Sequence, residues 1–204
     1  RDVIGSLAGD GGAFSVDVPR LVVLTTEFFD AFIAHNDLRS LPLEEMRDDR
    51  IAHAFQQAEL PARWLGDLRS LVQHVHQPLA VRSSSLLEDA LQHPFAGVYG
   101  TKMIPNNQQS PDERFRLLAQ AVKFVIATTF FRAARDYQRA SGHESGDEKM
   151  AVIVQEIVGQ RHGDRFYPHL SGVARSWNAY PVGRARPEDG VVQLDASIMD
   201  GKTY

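Results

Sequence analysis

The chain has 204 residues, with 22 Lys and Arg against 26 Asp and Glu, and so carries a formal net charge of −4 at pH 7. Hydrophobic residues make up 43% and charged residues 24% of the sequence, which argues against global disorder and low-complexity fibres. The mildly acidic balance argues against a general nucleic-acid-binding surface. No apolar run approaches the roughly 20 residues of a membrane-spanning helix. Cysteine is absent, which excludes disulfides and thiolate sites, and we expect a reducing, cytoplasmic location.

The first half of the chain predicts strands that alternate with helices. The apolar run 21–24 predicts a strand, and Thr25 stands directly before an apolar-periodic segment, as a helix N-cap does. Residues 43–60 predict a polar helix that Pro61 ends before the next helix begins. Two sets of apolar residues at helical spacing predict core-facing stripes: Phe28, Phe29, Phe32 and Ile33, and then Trp64, Leu65, Leu68, Leu71, Val72 and Val75.

The second half predicts a long helix followed by strands. Helical periodicity predicts a single helix over 114–139. Residues 150–158 are apolar on both faces, which is typical of a buried central strand, and two further strands are predicted at 171–176 and 190–194.

These elements together predict an α+β fold in two lobes. The first lobe, 1–107, would carry an Arg-Ser-Ser-Ser segment and a glycine-rich loop. The second lobe, 108–204, would contain the long helix and the strand 150–158. The boundary is approximate, because the polar segments around Asn107 and before Lys149 both fit a division between lobes.

The most informative local pattern is Arg82 with the three serines 83–85, which follow a short apolar strand at 79–81. We expect this strand to deliver the arginine and the hydroxyls to a loop. A guanidinium beside several small donors suits a phosphate or a carboxylate. The same pattern, taken alone, fits even better an arginine paired with Glu88 or Asp89 and serines that cap a short helix.

The segment from Gly97 to Thr101 is a second candidate. Two glycines flank residues 98–99 and would let the backbone approach a ligand, while Thr101 and Lys102 could donate to phosphate oxygens. Most Gly-x-x-Gly loops are merely turns. The segment also lacks the Gly-Lys-Ser/Thr ending of a Walker A loop.

Gln155 and Glu156 are the third candidate, at the polar end of the apolar strand 150–158. Backbone groups at such a strand end could hydrogen-bond the edge of a purine ring. A strand terminus that simply reaches solvent gives the same pattern.

Read in order, five segments resemble the N-terminal nucleotide-binding domain of phosphoenolpyruvate synthase and pyruvate phosphate dikinase, which is of the ATP-grasp type. Residues 16–32 resemble the family segment V-P-P-G-F-V-V-T-T-E-A-Y-x-x-F, and residues 80–89 resemble A-V-R-S-S-A-T-A-E-D. Residues 95–101 are similar to F-A-G-Q-Q-D-T, 154–158 to V-Q-x-M-V, and 171–173 to S-G-V. Five matches in the right order are far more specific than any one of them.

The resemblance implies an ATP-grasp-like fold with a nucleotide cleft between two lobes. It implies that Arg82 is the catalytic residue that holds the ATP phosphates, and that Gly97 and Thr101 belong to the loop that covers them. Three consecutive residues would line the adenine pocket: Gln155, Glu156 and Ile157.

The resemblance also implies an activity and its partners. In the family, Mg-ATP donates phosphoryl groups to a histidine on a separate swivelling domain, and a pyruvate-binding domain follows. This phosphotransferase chemistry requires positioning and neutralisation of phosphate charge. We expect ATP and Mg²⁺ as cofactors, a swivelling phosphohistidine domain and a pyruvate-binding domain elsewhere, and neither a nucleic-acid nor a membrane partner.

Two departures from the family pattern keep an alternative open. The family's Gly-Gly-Lys motif is replaced here by Gly-Gly at 11–12 followed by Ala13. Asp195 and Asp200 could stand in for the family's metal-binding acids, but no motif identifies either of them, so the metal ligands are unknown. A catalytically degenerate regulatory or nucleotide-sensing module with the same fold is therefore the alternative.

Overall fold

A computed structural model describes residues 17–85, 88, 97–140 and 148–196. The fold is of the α+β class, as predicted. The chain forms two compact units, Arg1–Ile157 and Val158–Tyr204. The lobe boundary expected near residue 107 does not coincide with this division, because the helix that begins at Pro111 packs on strands of the same unit.

A four-stranded antiparallel sheet forms the centre of the first unit, with the spatial order β1-β4-β2-β3. The predicted central strand is β4, which lies between β1 and β2 and pairs with both. The bounds of the four strands are β1 Leu21–Leu24, β2 Leu79–Ser84, β3 Lys102–Ile104 and β4 Ala151–Glu156.

The helices of this unit pack on one face of the sheet. They are α1 (Thr26–His35), α2 (Asp48–Gln57), α3 (Leu65–His74), α4 (Pro111–Ala127) and α5 (Arg132–Ala140). Apolar side chains of alternate strand residues point toward them, as the two-residue period of a strand requires. These strand residues belong to the hydrophobic core: Leu24, Leu79, Val81, Ile104, Val152 and Val154.

The other face of the sheet is named the open face here. It is formed by Leu21, Val23, Ala80, Arg82, Met103, Ile153 and Gln155. Met103 is 69% exposed and Val23 is 46% exposed. Apart from Ala80, none of its apolar residues is buried, so this surface is left accessible by the helices.

The predicted stripes are confirmed. Phe28, Phe29, Phe32 and Ile33 of α1 are all buried. In α3 the residues Leu68 and Val72 are buried. The polar helix expected over 43–60 is shorter, since α2 covers only Asp48–Gln57.

The prediction of a single helix over 114–139 is wrong. A 3-10 turn, Thr128–Phe130, separates α4 from α5, and Phe131 then adopts an extended backbone. The Thr128 hydroxyl donates to the carbonyl oxygen of Val125 at 2.6 Å. Such back-bonding bends helices, and two β-branched threonines in succession disfavour a continuing helix.

The second unit consists of two antiparallel pairs of strands. The strands β5 (Gln160–His162) and β6 (Arg165–Tyr167) form a hairpin that the sequence did not predict. The predicted strands are β7 (Leu170–Arg175) and β8 (Val191–Ala196), which pair with each other. A Cβ atom at Gly172 would collide with the Gln193 carbonyl oxygen, so this ribbon requires glycine there.

Among the described residues, no single helix is long and apolar enough to cross a membrane. Residues 111–130 and α5 together meet the length and composition test as a bent pair. The core helix of a globular domain meets the same test, and α4 is largely buried in this core.

Asn106 links two parts of the first unit that lie far apart in the sequence. It is buried and adopts a left-handed φ of 49°. Its Nδ2 donates to the carbonyl oxygens of Val75 at 2.7 Å and Gln77 at 3.1 Å. The side chain thereby fastens the end of β3 to the segment between α3 and β2.

We predict that Asn106→Ala lowers the free energy of unfolding by about 2–4 kcal/mol. Two carbonyls lose a donor, at about 0.5–1.5 kcal/mol each, and a non-Asn residue is strained in the left-handed region by about 1 kcal/mol. Urea denaturation measures the change. The exposed neighbour variant Asn107→Ala should stay within about 0.5 kcal/mol of wild type, and equal effects of the two variants would contradict this role of Asn106.

Candidate functional site

Arg82 lies within β2 rather than in a loop after it, because β2 continues to Ser84. Its side chain is exposed on the open face, opposite Ile153. Its guanidinium forms no ion pair or hydrogen bond with another residue that the structure describes. The strand therefore presents a positive charge without a local counter-charge from the described part of the chain.

The alternative partner Glu88 is engaged elsewhere. One of its carboxylate oxygens accepts from the Ser83 hydroxyl at 2.8 Å, and the other accepts from the backbone N–H of Ser85 at 3.1 Å. The carboxylate thus holds the chain directly after Arg82 rather than neutralising the arginine. Asp89 and the predicted short helix lie outside the described residues.

Gln155 shares the open face with Arg82. It pairs with Ala80, two residues along from the Arg82–Ile153 pair. Diagonal neighbours on one face of an antiparallel pair are about 7–8 Å apart. The register thus brings together two of the residues selected from the sequence, 73 positions apart in the chain.

Thr101 is brought to the same place by β3. Lys102, the first residue of β3, pairs with Val81, and Thr101 directly precedes it, at the end of β3 nearest to Arg82. Thr101 is exposed. Lys102 does not share this face, because its ammonium lies over the Phe124 ring of α4, 5.0 Å from the centroid. The expectation that Lys102 faces the same ligand as Thr101 is therefore wrong.

Gly97 begins the described part of the glycine-rich segment. It is exposed with a φ of +82°, a conformation that favours glycine, and a Cβ atom there would meet nothing within 4 Å. A ligand could therefore approach the backbone closely at this point.

Glu156 is separated from Gln155 by the alternation of the strand. Its carboxylate forms an ion pair with Arg20 at 3.0 Å. It borders a mostly apolar cavity of about 310 Å³ beside Leu71, Val75 and Leu79, on the helix-covered side. Gln155 and Glu156, two of the three expected adenine-pocket residues, therefore have their side chains on opposite faces of the sheet.

The backbone at this strand end is largely hydrogen-bonded. The N–H of Glu156 donates to the Arg20 carbonyl at 3.0 Å, and that of Ile157 donates to the Pro78 carbonyl at 2.9 Å. A purine edge would therefore have to bond to other backbone groups than these two N–H donors.

Sequence reasoning missed a polar cluster around Tyr99. Tyr99 is only 6% exposed. Burial raises the pKa of its hydroxyl, the charges of Glu148 and Glu88 raise it further, and interactions with Gln138 and Ser85 oppose part of the rise. The signal available in the sequence was a tyrosine between two glycines, a bulky residue in a segment otherwise read as an open loop.

The described residues do not form a metal site by themselves. They contain no group of three or more His, Asp or Glu side chains that could hold an ion. Asp195 lies on β8 opposite Ser171 of the predicted S-G-V strand, and Asp200 lies outside the described residues. Since Mg²⁺ commonly uses one or two carboxylates together with substrate phosphates, Asp195 remains a candidate ligand.

We predict that Tyr99 makes the stability of the protein pH-dependent in alkaline solution. Its folded pKa is raised above the unfolded value of about 10, so its contribution is full below pH 10 and is lost as the pH rises further. Thermal unfolding of wild type and Tyr99→Phe should show a steeper fall for wild type above pH 10. Parallel curves would contradict the buried, neutral hydroxyl.

The chain is similar to known proteins at the level of its family. No curated protein sequence is significantly similar to the chain. The chain does match the family model described as pyruvate phosphate dikinase, AMP/ATP-binding domain, over residues 5–200. That match covers nearly the whole sequence and confirms the resemblance drawn from the five ordered segments. The chain therefore belongs to the family of the AMP/ATP-binding domain of pyruvate phosphate dikinase.

Proposed function

We propose that this chain is the ATP-binding domain of a phosphotransferase similar to phosphoenolpyruvate synthase and pyruvate phosphate dikinase. The observation that carries the proposal is the exposed guanidinium of Arg82, which has no counter-charge among the described residues and stands beside Gln155 and Thr101. Family membership indicates that the ligand is an adenine nucleotide. Each residue then has a role that follows from its chemistry.

Arg82 would neutralise phosphate charge, because a guanidinium offers several donors in a planar fork that matches phosphate oxygens. The hydroxyl of Thr101, directly before β3, would donate to a neighbouring oxygen, and the open backbone at Gly97 would lie against the polyphosphate. Gln155 would orient the nucleotide through its side-chain amide. Fixed donors of this kind stabilise transferring phosphoryl groups without reorganising during the reaction.

The nucleotide cleft, the metal ion and the phosphoryl acceptor are inferred from family membership. We infer an ATP-grasp arrangement with the nucleotide in a cleft between two lobes, with Ile157 and its neighbours on the adenine side. Mg²⁺ would arrive with ATP and neutralise part of its charge. The phosphoryl group would pass to a histidine on a swivelling domain and then toward pyruvate on a third domain, in a cytoplasmic setting.

The alternative is a regulatory or nucleotide-sensing module of the same fold. The observation in its favour is Ala13 after Gly-Gly, where the family has a lysine. A site without that lysine would hold the outer phosphates less strongly. It could still recognise an adenine nucleotide.

We predict that Arg82→Ala weakens Mg-ATP binding by about tenfold or more, since a hydrogen bond to a charged group is worth about 1.5–3 kcal/mol and 1.4 kcal/mol corresponds to tenfold. Isothermal titration calorimetry measures the change. The matched control is Arg116→Ala, which removes an exposed arginine of α4 whose ion pair with Glu113 has a long N–O distance of 3.8 Å, and it should bind ATP as wild type does. Unchanged affinity in Arg82→Ala would refute the assigned role, and no heat from wild type with any adenine nucleotide would refute the function.

The affinities for Mg-AMP and Mg-ATP distinguish a phosphoryl-donor site from a nucleotide-sensing module. A phosphoryl donor site must hold the β- and γ-phosphates, so wild type should prefer Mg-ATP to Mg-AMP by about tenfold or more, the worth of one charge-assisted hydrogen bond. Equal affinity for the two nucleotides would favour the sensing module instead.

A further inference from the structure

The segment 99–101 is fastened to helix α4 and the turn after it by a contact that only glycine permits. The N–H of Gly100 donates to the Thr128 hydroxyl oxygen at 3.1 Å. A Cβ atom at residue 100 would lie 2.8 Å from Thr128 Cγ2 and 3.0 Å from Phe124 Cε1. Distances below 3.0 Å do not occur for real Cβ atoms, so a larger residue would push the segment away from α4.

Thr128 is itself held in place. It is buried, and its hydroxyl donates to the Val125 carbonyl at 2.6 Å while it accepts from Gly100. The hydroxyl therefore has both its partners fixed by backbone groups. The turn between α4 and α5, which the sequence did not predict, supplies this attachment point.

Tyr99 adds a second attachment beside the first. Its ring is buried and contributes to the hydrophobic core. Ser85 and Gln138 oppose part of the rise that burial causes in the pKa of its hydroxyl, and Ser85 is tied to Glu88 through its backbone N–H. Ser83 and Ser85, which follow Arg82, and Tyr99, which precedes Thr101, are therefore all buried in the first unit.

At Gly97, no hydrogen bond or ion pair with another described residue attaches the segment. Gly97 is exposed, and open space surrounds the place of its missing Cβ atom. Among the described residues of this segment, the buried ring is that of Tyr99 and the hydrogen bond to Thr128 is made by Gly100, next to Thr101.

We propose that Tyr99, Gly100 and Thr128 form an anchor that holds Thr101 beside Arg82, and that they are positioning residues for the phosphate-bearing part of the ligand. The inference rests on the proposed function and goes beyond it, because none of the three residues touches the ligand. The anchor fixes the spacing between the guanidinium of Arg82 on β2 and the hydroxyl of Thr101 directly before β3. Binding of phosphate oxygens by both groups depends on that spacing.

The first test compares Gly100→Ala with Gly66→Ala. Residue 66 lies in α3, where a Cβ atom would meet nothing within 4 Å, so it reports the general effect of adding a methyl group. Calorimetric titration with Mg-ATP and with adenosine separates phosphate contacts from base contacts. Gly100→Ala should weaken Mg-ATP binding by about five- to tenfold, a partial loss of one charge-assisted bond, and leave adenosine binding unchanged. Gly66→Ala should change neither affinity.

If Gly100→Ala folds poorly, substitutions of Thr128 test the same contact with a smaller change in packing. Thr128→Val removes the hydroxyl at nearly constant shape and should weaken Mg-ATP binding selectively, whereas Thr128→Ser keeps the hydroxyl and should bind as wild type does. Thr128→Ser also removes the Cγ2 atom nearest to residue 100. The double variant Gly100→Ala with Thr128→Ser should therefore regain part of the lost ATP affinity.

The possible results distinguish a failure of the anchor proposal from a failure of the proposed ATP-binding function. If Arg82→Ala weakens Mg-ATP binding but Thr128→Val and Gly100→Ala do not, the anchor is refuted and the proposed function stands. Equal losses for Mg-ATP and adenosine would also refute it, because they indicate a structural defect rather than positioning. Absence of Mg-ATP binding by wild type would overturn both proposals.

Discussion

The pairing of β2 with β4 is the constraint on which the rest of the structure depends. Six residue pairs join the two strands, from Leu79–Glu156 to Ser84–Ala151. A slip of one residue would turn Arg82 toward the helices and expose Val81, at the cost of burying an unpaired charge. The hydrophobic alternation of both strands therefore fixes the register, and the same register sets Arg82 and Gln155 on the open face.

The core and the candidate site share parts of the same elements. Helix α4 covers the sheet with Leu118, Val122 and Val125, and the turn at its end receives Gly100 through Thr128. Packing that stabilises the first unit thus also determines where Thr101 lies. This coupling explains why a glycine and a buried threonine remote from any ligand can matter to phosphate binding.

Sequence reasoning identified the family, the central strand and the buried stripes, because these depend on short motifs in order and on periodicity. It failed where contacts distant in the chain decide the outcome. Lys102 is directed away from the open face because Phe124 of α4 offers its ring, and the long helix is interrupted where Thr128 bonds back to Val125. Glu88, a candidate partner of Arg82, is instead held by Ser83 and Ser85.

The sequence by itself determined which residues have the chemistry to bind a nucleotide, and their order along the chain already indicated the family. Only the tertiary structure decided which of them face the same way: Arg82, Thr101 and Gln155 come together, and Glu156 is turned aside to Arg20. The physical reason is that side chains alternate along each strand, while the register between strands is set by burial of the whole sheet. No local pattern contains that information.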